Sequence, residues 1–108
     1  MINNPGAILP ESSDSGFIKC NNDEIAIPKN TPVTVLNGNG KRTYSAFINN
    51  SLSDITLVLE DKSKAAINKG IVLKPNGSFE ITSINLYKGK VSVISAQNSR
   101  LSFVECSE

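Results

Sequence analysis

The stretch RTYSAFINNSLSDITLVLE, Arg42 to Glu60, contains two runs in which apolar and polar residues alternate, separated by a polar segment. Successive side chains of a β-strand point to opposite faces, so a period of two indicates half-buried strands. The segment between the runs, Asn49 to Ser53, is rich in residues that favour turns. The stretch therefore predicts a β-hairpin, whose register is fixed because a slip would turn its polar side chains into the core.

Within the first run, Tyr44, Ala46 and Ile48 share one face and Phe47 lies on the other. The aromatic residues of the chain mostly fall on apolar strand faces, which core packing explains. Phe47 is the exception, so we expect it either to pack in a second layer or to contact a partner.

The rest of the chain consists of short apolar runs bounded by turn residues. Val33 to Leu36 ends at Asn37-Gly38-Asn39-Gly40, the strongest turn signal, which predicts a hairpin or tight loop into the strand at Arg42. Near the start, Phe17 to Cys20 and Glu24 to Ile27 are predicted to be two short strands around a turn at residues 21–23. The sequence thus predicts one all-β domain, residues 17–108, an antiparallel β-sandwich or jelly-roll-like fold of about eight short strands.

Residues 1–16 are rich in proline, glycine and polar residues and predict an extended N-terminal arm. Two alternatives stay open: a disordered terminus, or a segment that orders against a neighbouring subunit with Ile8 and Leu9 as its anchor. The segment has neither the basic nor the long apolar region of a signal peptide, and no apolar run of roughly 20 residues predicts a membrane helix. We therefore expect synthesis in the cytoplasm and no membrane contact.

Cys20 and Cys106 allow one disulfide, although two small buried thiols are the favoured interpretation for a reducing compartment. Two cysteines without any histidine make a poor zinc site, so no metal or other cofactor is expected. The net charge of +1 creates no field that would attract nucleic acid.

The absence of histidine also removes the usual general base, so any enzyme hypothesis depends on carboxylates. Glu60 with Asp61, or Glu80 with Asp54, could form a glycosidase pair only if the fold set them across a cleft. Solvated surface charges are the simpler interpretation, and we expect no enzymatic activity.

From Arg42 onward the chain resembles the small β-sandwich virion proteins of tailed bacteriophages, which include capsid decoration or cement proteins. The resemblance covers about two thirds of the chain, leaving residues 1 to about 30 outside it. The residues that carry it are Arg42, Ile48-Asn49-Asn50-Ser51, Ile55-Thr56-Leu57, Gly70 to Glu80, Tyr87 to Val91, Ile94-Ser95-Ala96 and Val104-Glu105.

The resemblance implies a non-enzymatic structural protein of the virion that binds between shell subunits and stabilises the particle. The implied partners are the major capsid protein or other virion proteins, and symmetric positions on a capsid make a homotrimer plausible. We expect the contacts to lie in the arm and at the ends and edges of the sandwich. The predicted interface residues are Ile8, Leu9, Asn39, Lys41, Arg42, Phe47, Lys62 and Lys64.

For Arg42 and Arg100, the only arginines, ion pairs at strand starts and interface anchoring are both open. Two alternative functions also stay open. One is a tail-fibre or receptor-binding module that contacts host sugars. The other is a small glycan hydrolase that uses Glu60 or Glu80.

Overall fold

The computed structural model describes residues 19–108, which form two antiparallel sheets with one short 3₁₀ turn, Lys62–Lys64. Among these residues no helix is long and apolar enough to span a membrane. The strands are β1 Lys19–Ile27, β2 Val33–Leu36, β3 Arg42–Asn49, β4 Ile55–Val58, β5 Ile71–Leu73, β6 Ser78–Ile81, β7 Val91–Ile94 and β8 Ser99–Ser107.

The strand pairing is that of a jelly roll. β1 pairs with β8, β2 with β7, β3 with β6 and β4 with β5, as in one long antiparallel ribbon folded back on itself. Further pairing of β3 with β8 and of β4 with β7 closes two four-stranded sheets, β1-β8-β3-β6 and β2-β7-β4-β5. The predicted fold class is therefore confirmed, with the strand order of the jelly-roll form.

The core lies between the two sheets, and strands from both contribute to it. Most of its members are β-branched or leucine, which suit the inner faces of a sandwich. The buried apolar residues that form it are Ile27, Leu36, Phe47, Ile55, Leu57, Leu73, Ile81, Val91, Val93 and Leu101.

The predicted hairpin between β3 and β4 is wrong, because the two strands belong to different sheets. The connection turns a corner of the sandwich, where the Asn49 side-chain amide donates to the carbonyls of Ser53 at 2.7 Å and Leu73 at 2.8 Å. The loop after β2 likewise crosses to the other sheet, so of the two predicted alternatives, a hairpin or a tight loop, the hairpin is wrong. A period of two determines which face a side chain occupies, but it is the same for a hairpin and for a sandwich corner.

The two faces of β3 are also reversed: the face with more apolar residues, which carries Ala46 and Ile48, is the outer one. Phe47 is fully buried in the core, whereas Ile48 is 47% exposed on the outer face. The inner face also holds Arg42 and Asn49, both fully buried, whose polar groups are satisfied by carbonyl and carboxylate partners. Because these partners come from distant segments, the alternation of β3 alone made its inner face look like the polar one.

The N-terminal strand is continuous from Lys19 to Ile27, which corrects the prediction of two short strands around a turn at residues 21–23. All nine residues pair with β8, and this long partner keeps the polar middle of β1 extended. Cys20 lies directly opposite Cys106 and forms a disulfide with it, contrary to the favoured interpretation of two thiols. The bond fastens the sheet's edge strand to β8 near both termini of the described chain.

Candidate functional site

The outer face of the β2-β7-β4-β5 sheet is covered by the chain's own connection between β4 and β5, residues 59–70. Ser92 Oγ donates to the carbonyl of Glu60 at 2.8 Å, and the backbone N–H of Asn68 donates to Thr56 Oγ1 at 2.9 Å. As a result Ser92 and Thr56, which point away from the core, are buried. We call this surface the covered face.

Asp61 fastens the connection at one end of the sandwich. Its carboxylate caps the 3₁₀ turn by accepting from the backbone N–H of Ser63 at 3.0 Å, and it pairs with Lys90 Nζ at 2.9 Å. These hydrogen bonds, with the Ser63 N–H as the largest cause, hold the pKa of Asp61 well below its ordinary value.

The outer face of the β1-β8-β3-β6 sheet has no such cover from residues 19–108, and we call it the open face. Ala46, Ile48 and Val104 line a shallow depression of about 240 Å³ at its centre. Ile48 is the most exposed of them, at 47%. The open face therefore presents a small apolar strip in the middle of a sheet.

Polar pairs flank this strip on both sides. The Tyr44 hydroxyl donates to a carboxylate oxygen of Glu80, and this hydrogen bond is the largest cause of the raised pKa of Tyr44. On the other side Arg100 Nη1 pairs with Glu24 at 2.8 Å. An apolar centre with a polar rim is the arrangement found in protein interfaces.

The predicted interface residues separate into three groups. Lys41, Lys62 and Lys64 are exposed in connections at the end of the sandwich where β1 begins, so the topology brings them to one end. Asn39 lies at the same end, half-buried, with its side-chain amide donating to Ser107 Oγ at 2.7 Å. Ile8 and Leu9, with the rest of the predicted arm, lie outside the described residues.

The remaining two, Arg42 and Phe47, are fully buried, so neither side chain is available to a partner. Phe47 is at the centre of the core, which corrects its assignment to an interface. Arg42 forms the ion pair that was the other interpretation of its position, with Nε 2.8 Å from Glu105 Oε2.

Arg42 also binds three backbone carbonyls with its terminal nitrogens. Nη1 donates to the carbonyls of Tyr87 and Gly89, both at 2.9 Å, and Nη2 donates to the carbonyl of Asn37 at 2.7 Å. One buried guanidinium thus joins two loops to β8. Its fork of fixed donors suits this use, because each nitrogen reaches a different segment.

Each residue considered for glycan hydrolysis forms hydrogen bonds with a different partner. Glu80 accepts from Tyr44 on the open face, Asp61 caps the 3₁₀ turn, and Asp54 pairs with Lys74 Nζ at 2.9 Å. Glu60 offers its backbone carbonyl to Ser92. Residues 19–108 contain no group of three or more His, Cys, Asp or Glu side chains that could hold a metal ion.

Sequence reasoning missed a groove of about 670 Å³ between β1 and the end of β2. Asn21 and Asp23 of β1, Glu105 of β8, and the loop residues Asn37 and Asn39 line it. The signal for it was the polar run Asn21-Asn22-Asp23, which was interpreted as a turn although the chain there is a strand. We call this feature the polar groove.

Comparison of the chain with protein-family models, with curated proteins and with solved structures finds no match.

Proposed function

We propose that this protein is a non-enzymatic virion component that decorates a capsid, with the open face as its docking surface. The observation that carries the proposal is the apolar strip of Ala46, Ile48 and Val104 at the centre of a sheet, which no segment of residues 19–108 covers. The resemblance of residues 42–105 to small β-sandwich virion proteins of tailed bacteriophages, a group that includes decoration proteins, supports a virion partner. The jelly roll is compatible with it, since viral capsid domains use this fold, but lectins and cupins use it too.

Burial of the strip would supply part of the binding free energy. Removing apolar surface from water is worth about 25 cal/mol per Å². The polar pairs on either side, Tyr44 with Glu80 and Arg100 with Glu24, would form the rim of the contact. The partner this surface fits is a shell-subunit surface with its own small apolar patch bordered by polar groups.

In this proposal, binding of the protein stabilises the assembled capsid shell through thermodynamic linkage. A protein that binds the assembled shell but not free subunits shifts the equilibrium towards the shell by its binding free energy. In this proposal residues 1–16 add a second attachment through Ile8 and Leu9, and Lys41, Lys62 and Lys64 contact the shell from one end. A trimer at symmetric capsid positions and a virion location belong to the same proposal.

The test is co-sedimentation of the purified chain with matching capsids, together with the melting temperature of the capsids. We expect saturable binding and a raised melting temperature. Ile48→Asp places a charge in the centre of the strip and should weaken binding at least about tenfold, equivalent to about 1.4 kcal/mol.

Leu52→Asp is the matched control. Leu52 is also a large exposed apolar residue, at 97%, but it lies in the β3–β4 connection, at the opposite end of the sandwich from Lys41, Lys62 and Lys64. Binding should survive this change. Capsid binding that is equal for the two variants would exclude the open face as the docking surface, and no binding by the unmodified chain would exclude the decoration role.

A further inference from the structure

We propose that the polar groove is a binding site for a neutral saccharide. The proposal does not depend on the capsid role, and it gives the receptor-binding alternative a location in the fold. It rests on the origin of the groove, on the fixed position of its polar walls and on the chemistry of its lining.

The groove exists because the inward-facing positions of β1 change from apolar to polar along the strand. Ile27 is buried and Ile25 half-buried against the core, but the next two inward positions, Asp23 and Asn21, are exposed. Apolar side chains there would let the sheets close at this edge. Polar side chains at positions that face the other sheet sacrifice core burial, and such departures from the expected pattern are typical of functional sites.

Buried Arg42 holds both walls of the groove. Its Nε pairs with Glu105 of the β8 wall at 2.8 Å, and its Nη2 binds the carbonyl of Asn37 in the loop wall at 2.7 Å. Asn39 also donates to Glu105 Oε2 at 3.3 Å. The wall residues are therefore positioned before any ligand arrives, which reduces the entropy cost of binding.

Several polar groups of the groove remain available to a ligand. Glu105 uses Oε2 for Arg42 and Asn39, while its Oε1 accepts no hydrogen bond from a described residue. The side-chain amides of Asn21 and Asn37 likewise form no hydrogen bond with residues 19–108, and both residues are exposed. Each amide supplies donors and an acceptor, as vicinal hydroxyl groups require.

The lining also selects against other ligand classes. Among residues 19–108 the lining contains no lysine or arginine side chain. Glu105 is already paired with Arg42, so the carboxylate of Asp23 is the charge that would repel an anion. Phe103, Val35 and Leu36 add an apolar portion, too small for a lipid but suited to the C–H face of a pyranose. A volume of about 670 Å³ lies in the range of small-molecule sites.

The test is an NMR titration of the full chain with methyl glycosides of glucose, galactose, mannose and N-acetylglucosamine. N-acetylneuraminic acid serves as the anionic comparison. We expect at least one neutral glycoside to shift the backbone amides of Asn21, Asp23, Asn37 and Asn39, with a Kd of about 1 mM. The anionic sugar should leave them unchanged.

Asn37→Ala and Asn21→Ala should each weaken the binding about tenfold. Both side chains are exposed, so the variants should keep the spectrum of the folded chain. Gln97→Ala, an exposed amide in the β7–β8 connection at the opposite end, is the matched control and should bind normally. The proposal is overturned if no neutral glycoside shifts the groove amides, if the anionic sugar shifts them equally, or if the asparagine variants bind as well as the control.

Discussion

The two sheets of this jelly roll have different outer faces, although they share one core. The covered face is sealed by residues 59–70, so the outward-pointing Thr56 and Ser92 are 2% and 0% exposed. The open face leaves Ile48 47% exposed at the matching place in the middle of its sheet. The difference arises from loop length, because β4–β5 is the one connection that stays within a sheet and is long enough to fold over it.

The two sheets are also held in place by different kinds of contact. The covered sheet is supported by a segment of chain, through several hydrogen bonds of ordinary strength. The open sheet is held by two links between segments that are distant in sequence: the disulfide between Cys20 and Cys106, and the buried guanidinium of Arg42. Neither connection crosses the apolar strip, so residues 19–108 leave that strip exposed.

The largest expected effect is therefore at Arg42. Arg42→Met removes the ion pair with Glu105 and leaves three backbone carbonyls without their donor. Removal of one partner of a buried ion pair typically costs about 3–5 kcal/mol of unfolding free energy. Urea denaturation followed by circular dichroism measures the change.

Arg100→Met is the matched control, since it changes the only other arginine in the same way. Arg100 pairs with Glu24, but its side chain is 58% exposed. An exposed pair is worth less than about 1 kcal/mol, so the loss should be small. Equal destabilisation by the two substitutions would contradict the view that Arg42 holds the open sheet.

The fold class could be predicted from the sequence because alternation and turn residues are local signals. Strand partners could not be predicted, because β3 pairs with β8 and β6 across long separations that no local pattern encodes. The Asn-Asn-Ser segment after β3 suits a hairpin turn and a sandwich corner equally well. What distinguishes the two is that β3 and β4 pair in different sheets, with Asn49 holding the corner through the Ser53 and Leu73 carbonyls.

The candidate site was less predictable than the fold. Lys41, Lys62 and Lys64 are exposed in connections, since charged loop residues seldom become buried, and their part in an interface stays a prediction. Arg42 and Phe47 were assigned to an interface because their partners, Glu105 and the opposite sheet, are remote in sequence. The polar groove was missed because Asn21-Asn22-Asp23 has turn composition, and only pairing with β8 makes it a strand.

A smaller effect is expected where residues 59–70 return over the covered face. A Cβ at Gly70 would lie 2.5 Å from the Leu57 carbonyl oxygen and 3.3 Å from methyl groups of Thr56 and Val58. Gly70→Ala should lift the segment from the sheet and cost about 1–3 kcal/mol. Hydrogen exchange should show the Asn68 amide losing protection first.

Gly40→Ala is the control for this substitution, since a Cβ at Gly40 would meet no atom within 4 Å. Its effect should stay within about 0.5 kcal/mol. If Gly70→Ala were as mild as Gly40→Ala, close packing of the segment would not be what seals the covered face.

The smallest effect is the acid sensitivity of the same cover. Because the hydrogen bonds from Ser63 and Lys90 lower the pKa of Asp61 in the folded state, its ionised carboxylate contributes stability above its ordinary pKa of 3.8. That contribution should fall as the pH drops below about 4, where the unfolded chain binds the proton more readily. The protection factors of the Ser63 and Lys64 amides, corrected for the intrinsic exchange rate at each pH, should therefore fall in acid before those of the core strands. Asp61→Asn should show faster exchange already at neutral pH and lose this acid-dependent step, and retention of the step in the variant would assign the acid response to another carboxylate.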